Sequence, residues 1–157
     1  MTLEPLLRRV DRFAGGRHRD HRVAPSDDPR AARALRAVAW ILAGCTALGV
    51  ATVGVALVLA ADGEAPGFVV WMRCLVLLGI TASLFYFLWR ARLGWYWAFR
   101  RLQLFTRVFP IVAVVLALIP GLFPGWVIAE QLIFAGLLIA AQALLFSRPV
   151  RAAFPAP

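Results

Sequence analysis

Residues 37–61 form an unbroken run of 25 positions without a charged side chain. As a helix this run rises about 37 Å, more than the roughly 30 Å hydrocarbon core of a bilayer. A helix is also the one open-ended structure that satisfies its own backbone hydrogen bonds in lipid, so such a run is expected to cross a membrane. Two further apolar runs follow. Residues 68–89 carry one charge, Arg73, and residues 126–146 carry one, Glu130. With 62% hydrophobic residues and a mean hydropathy of +0.78, the chain exceeds the roughly 45–50% apolar content of an ordinary soluble domain.

The least regular part lies between these runs. Residues 89–107, WRARLGWYWAFRRLQLFTR, hold five arginines among closely spaced aromatic rings. Rings with polar tips and cationic side chains both find partners at headgroup depth. This stretch is therefore expected to be a loop on the inner face of the membrane, with Arg90, Arg92, Trp95, Trp97, Arg100, Arg101 and Arg107 touching anionic lipid headgroups. Only 12 residues separate Arg107 from Pro120, roughly 18 Å of helix. A third span must then begin near Leu102, with Arg107 snorkelling to the surface and Pro110 kinking the helix near its inner end.

The predicted fold is an all-α membrane protein with four transmembrane helices in two hairpins over residues 37–146. A basic arm, residues 1–36, precedes them, and a tail, residues 147–157, follows. Sixteen of the seventeen arginines lie in the arm, the central stretch or the tail, and none lies in the turns at residues 62–67 and 119–126. By the positive-inside bias this predicts that both termini face the cytosol. Every basic residue is arginine and alanine is abundant, a usage that accompanies GC-rich bacterial genomes, so the expected location is a bacterial cytoplasmic membrane.

Within the arm, Leu3, Leu6, Leu7, Val10 and Phe13 recur at helical spacing with Arg8, Arg9 and Arg12 between them. That is the pattern of a helix lying in the interface plane or packed on the protein's own loops. Residues 15–25, with His18 and His21, read as a solvated linker with no reason to pack. Ser26, Asp27, Asp28 and Pro29 read as a helix start, because Ser or Asp caps free amides and proline is tolerated at the first helical position. The tail holds three prolines, which argue against further helix.

In the first span Ala39, Ala43, Ala47 and Ala51 form a ridge at fourfold spacing, with Gly44, Gly49 and Gly54 beside it. Small residues let helix backbones approach closely in lipid, so a protein partner or a second copy is expected there. Cys45 and Cys74 lie in different spans without CxxC spacing, and no histidine falls in a span. No metal, cofactor or disulfide is indicated. Neither is an enzyme, since no nucleophile and base and no paired carboxylates stand at catalytic spacing. The positive charge is accounted for by lipid without a nucleic-acid partner.

Inside the spans the polar residues can be counted singly. Gln131, Ala135, Leu138 and Gln142 share one helical face, which should point into the bundle. Arg73 lies six residues past Gly67 and Glu130 five past Gly125, roughly 9 and 8 Å below the outer helix ends. An ion pair between them, with Gln131 meeting the remaining hydrogen bonds, offsets the cost of a lone charge in lipid and makes the second and fourth spans neighbours. The expected function is that of a non-enzymatic accessory or scaffolding protein that packs with a larger membrane complex or with itself. The alternative is a small proton- or ion-coupled transporter or channel using Glu130.

Overall fold

A computed structural model describes residues 21–23, 28–64 and 66–155. The expected helix of residues 3–13, His18, and Ser26 and Asp27 of the helix start lie outside the described residues.

Among the described residues five helices follow in order: α1 Pro29–Ala61, α2 Phe68–Arg92, α3 Tyr96–Ala117, α4 Gly125–Leu145 and α5 Arg148–Ala153. The described residues contain no strand, only one isolated bridge between Arg22 and Trp95. Helix α1 starts where Asp28 Oδ1 accepts the Arg30 amide at 2.8 Å and Pro29 fills the first turn. It ends at Gly63, which has φ 87°. There the Glu64 amide bonds to the Leu59 carbonyl at 2.9 Å and the Gly63 amide to Ala60 at 3.3 Å, the paired closure that a left-handed glycine makes possible.

Helices α1, α2 and α4 are each long and apolar enough to cross a membrane, and the chain is an integral membrane protein. Helix α3 differs because Arg100 and Arg101 lie in its first half and Arg107 at its middle.

The expectation of a central loop is corrected. Only residues 93–95 interrupt the helices there. The reason is periodicity: Ala98, Phe99, Leu102, Thr106, Pro110 and Ala113 fall on one face of α3 and are buried, while Arg100 and Arg107 point outward. Composition suited to headgroups is equally suited to an aromatic-faced amphipathic helix. Proline 110 sits inside α3. The tail is corrected too: Pro149 stands in the first turn of α5, where its missing amide costs nothing.

Short connections make successive helices antiparallel. Helix α1 packs on α2 and α4, α3 packs on α2 and α4, and α5 lies against α1. The four long helices thus form a square in chain order, with α2 and α4 on one diagonal. One end, with Asp62 and Glu64 exposed, is the acidic end; the other, with the α2–α3 turn and α5, is the basic end.

The main core lies toward the basic end. It joins Val38, Leu42 and Cys45 of α1, Leu84 and Phe87 of α2, Trp97, Phe99 and Leu102 of α3, and Leu138 and Leu145 of α4. Phe154 closes it by stacking on Phe99 at 4.2 Å and 11°. A separate small cluster of Val70, Cys74 and Val127, with Val53, Phe123 and Trp126 against it, fills the acidic end.

Candidate functional site: an intramembrane ion pair and a basic aromatic end

The two charges of the apolar runs, Arg73 and Glu130, meet in one place. Arg73 on α2 directs Nη2 to Glu130 Oε2 on α4 in an ion pair, and its Nε donates to Gln131 Oε1 at 3.1 Å. The Gln131 amide nitrogen then donates to the Ala113 carbonyl of α3. One chain of bonds therefore ties three helices together. The Phe123 ring, centred 5.7 Å from the guanidinium carbon, covers it from the acidic end.

The arrangement departs from the expected one in lateral order. Helices α2 and α4 do not pack side by side; they face each other across the bundle. The arginine stem is long enough to cross that diagonal, which is how its charged head reaches the far helix. Gln131, Ala135 and Leu138 point inward, and Gln142 stands half-buried at the edge of that face.

Side-chain exposure is 12% for Arg73 and 7% for Glu130. Charges so buried gain from each other only if their other hydrogen bonds are also met. Here the accounting is incomplete: Arg73 Nη1 and Glu130 Oε1 are buried and make no hydrogen bond among the described residues. Chemically the site holds one charge against another and retains one donor and one acceptor.

The basic end gathers most of the residues expected at headgroups, though not all in that role. Arg100 and Arg107 are exposed and Arg101 is half-buried. Arg92 donates to the Leu35 carbonyl of α1 at 3.0 Å, which fastens the end of α2 to α1. The Arg90 guanidinium carbon lies 5.2 Å from the centroid of Trp95, 5.5 Å from Trp89 and 6.0 Å from Tyr86. Trp95 is half-buried beneath it. Trp97 is corrected: at 3% exposure it belongs to the core, meeting Phe87 edge to face at 6.1 Å, because it falls on the buried face of α3.

Of the segment 15–25 expected to be an unpacked linker, residues 21–23 are corrected as well, and the rest lies outside the described residues. The Val23 amide donates to the Gly94 carbonyl at 2.9 Å, and the Tyr96 amide donates to the His21 carbonyl at 3.4 Å. Arg22 lies over Trp95 at 4.2 Å, and His21 meets Tyr96 edge to face at 5.5 Å. No periodicity announces this contact, since three residues of extended chain have none. The one local sign is Gly94, the only glycine between α2 and α3.

Cys45 and Cys74 are free thiols, both buried, and no group of metal-ligating side chains forms among the described residues. No protein-family signature, no curated protein and no solved structure matches this chain.

Proposed function

We propose that this chain is a non-enzymatic accessory or scaffolding protein of the bacterial cytoplasmic membrane, which packs with a larger membrane complex or with a second copy and holds anionic lipid at its arginine-rich end. The observation that carries this reading is the outward face of α1. Gly44, Ala47, Ala51 and Gly54 are exposed there at helical spacing, and a Cβ at Gly44 or Gly54 would meet nothing within 4 Å. The small ridge thus turns only partly inward, with Ala39 and Ala43 half-buried. Its remainder is a surface on which another helix can approach closely.

In this proposal α3 is the third of four spans and both termini are cytosolic. Helix α3 has 22 residues, about 33 Å of rise, and its exposed Arg107 snorkels to the inner surface. The exposed rings of Trp40, Trp89 and Phe146 stand on three different helices toward the basic end, where an interfacial aromatic belt belongs.

The test is purification in mild detergent at native expression level, followed by mass spectrometry, with Gly44→Ile and Gly54→Ile in parallel. The expected result is a stoichiometric larger partner, or a self-oligomer, that both variants lose while the monomer stays folded. A monomer that brings nothing down in either form defeats the proposal.

The second reading, a proton- or ion-coupled transporter, is favoured by one observation: Glu130 Oε1 is buried without a hydrogen-bond partner among the described residues. Proton-coupled flux in proteoliposomes, lost in a folded Glu130→Gln variant, would establish it in place of the first.

A further inference from the structure

Three exposed rings share one height on the bundle. The ion pair sets Arg73 of α2 against Glu130 of α4, and Trp89 and Phe146 each lie sixteen residues beyond their member of it, toward the basic end. Gly49 of α1 abuts Leu77 and Leu78 of α2. Trp40 is nine residues back from Gly49 and Trp89 eleven on from Leu78, roughly 14 and 16 Å along the two helices. Exposed rings at one height on three helices are where the hydrocarbon ends in the topology proposed above.

Helix α1 continues past that height. Arg36, Arg33 and Arg30 stand four, seven and ten residues beyond Trp40, roughly 6, 10 and 15 Å further out. The headgroup layer is only about 5–8 Å deep, so Arg33 and Arg30 clear it. Their side chains do not reach back. Helical side chains lean toward the N-terminus of the helix, which on α1 is the outward direction, and Arg33 Nε donates to the Pro29 carbonyl at 3.3 Å, one turn further from the membrane. This stretch is packed protein, with Ala31 buried and α5 lying against the helix.

All three arginines are exposed, and they share a face with the small-residue ridge. Eighteen residues make five whole turns, which sets Arg33 in line with Ala51 and Arg36 in line with Gly54. A partner helix lying along that ridge in the membrane therefore runs out beside the arginines. Of the acids among the described residues, Asp62 and Glu64 lie at the opposite end, Glu130 is paired with Arg73, and Asp28 is half-buried with Oδ1 on the Arg30 amide. The complement of this stripe is an anion supplied from outside, and carboxylates match the guanidinium fork. Single-stranded nucleic acid needs open rings for its bases to stack on, whereas Tyr96, Trp97 and Phe99 of this end are buried.

We propose that Arg30, Arg33 and Arg36 form a docking stripe for an acidic cytosolic segment of a protein that packs on the outward face of α1. The stripe rests on the accessory reading above and gives its partner a second contact, outside the membrane and of different chemistry.

The experiment places the full-length protein in phosphatidylcholine nanodiscs and titrates a fluorescent polyglutamate peptide, with a short DNA duplex as the competing polyanion. Arg30→Gln combined with Arg33→Gln should weaken the peptide about tenfold, the equivalent of two exposed ion pairs. Arg100→Gln combined with Arg107→Gln removes as much charge from α3, on either side of Gln103, which reaches the Leu145 carbonyl near the height of the rings. That control should leave peptide binding as in wild type. Equal losses in the two double variants would mean diffuse attraction and overturn the stripe. A duplex that binds more tightly than the peptide, and loses as much in the first variant, would overturn the assignment to an acidic protein. A wild type that does not bind the peptide, yet still brings down a partner that Gly44→Ile loses, ends this inference and leaves the accessory reading standing; a wild type that brings nothing down ends that reading. Circular dichroism of the first variant, altered only at exposed side chains, separates lost binding from lost fold.

Discussion

Replacing Arg73 by Met and Glu130 by Leu, singly and together, asks whether the ion pair holds the bundle. Each single change strands a charge that is at most 12% exposed. Breaking a buried pair from one side costs about 3–5 kcal/mol, and the residual exposure favours the lower figure. Arg73→Met also removes the donor to Gln131 Oε1, worth about 1 kcal/mol more, so it should be the worse of the two. The double variant leaves nothing charged and should recover most of the loss. Ordinary hydrogen bonds between membrane helices couple by about 0.6 kcal/mol, with a ceiling near 1.7. A coupling above about 2 kcal/mol in the double-mutant cycle therefore separates an ion pair from one more polar contact. Reversible unfolding in mixed micelles supplies the free energies. A second readout is built into the chain: Cys74 is 3% exposed and adjoins Arg73, while Cys45 lies at 0% in the main core. Each single variant should speed maleimide labelling of Cys74 and leave Cys45 slow. Additive losses, with Cys74 no more reactive than in wild type, would refute the reasoning.

Four further outcomes are expected. Reporter fusions within residues 62–64 should report the exterior, and fusions after Ser147 and in the arm the cytosol; an exterior signal from the α2–α3 turn would sink the proposed topology. Asp28→Ala should cost about 1 kcal/mol of stability by removing the cap on the Arg30 amide. Gly49→Leu should cost about 1–3 kcal/mol, since even a Cβ there would come within 2.8 Å of Leu77 Cδ2 and 3.2 Å of Leu78 Cδ2; unchanged unfolding would show that α1 and α2 separate freely. Phe154→Ala should cost about 3 kcal/mol and raise protease cleavage within α5, because the stack on Phe99 closes that end of the core.

Helices α1, α2 and α4 are legible in the sequence because a bilayer imposes two conditions that composition records directly, a minimum length and the exclusion of charge. Their ends coincide with Asp62-Gly63, Gly67 and Pro124, residues that cap or turn. Helix α3 is harder because its first half meets neither condition. Arg100, Arg101 and Arg107 break the apolar run, and the residues between them are aromatic. An aromatic ring serves a headgroup zone and a protein core equally well. What separates the two is period, and the spacing of Ala98, Phe99, Leu102 and Thr106 carries it. Composition there points to headgroups and spacing to a packed helix, and the fold follows the spacing.

The site shows a different limit. Counting residues from a turn yields depth, because a helix rises by a constant 1.5 Å per residue. Arg73 and Glu130 can be set at one level on that basis alone. Depth says nothing of lateral order, and four helices admit more than one. A square in chain order puts α2 and α4 on a diagonal, and the long stem of Arg73 carries its charged head from one to the other. The same order leaves α1 and α3 to cover the pair from both sides, so its burial depends on two helices that contribute no charge to it. Arg22 lies beyond both kinds of counting. It is neither in a span nor in a periodic segment, and its place depends on two backbone hydrogen bonds to a turn about seventy residues away in sequence, an attachment for which a glycine in the turn is the single local requirement.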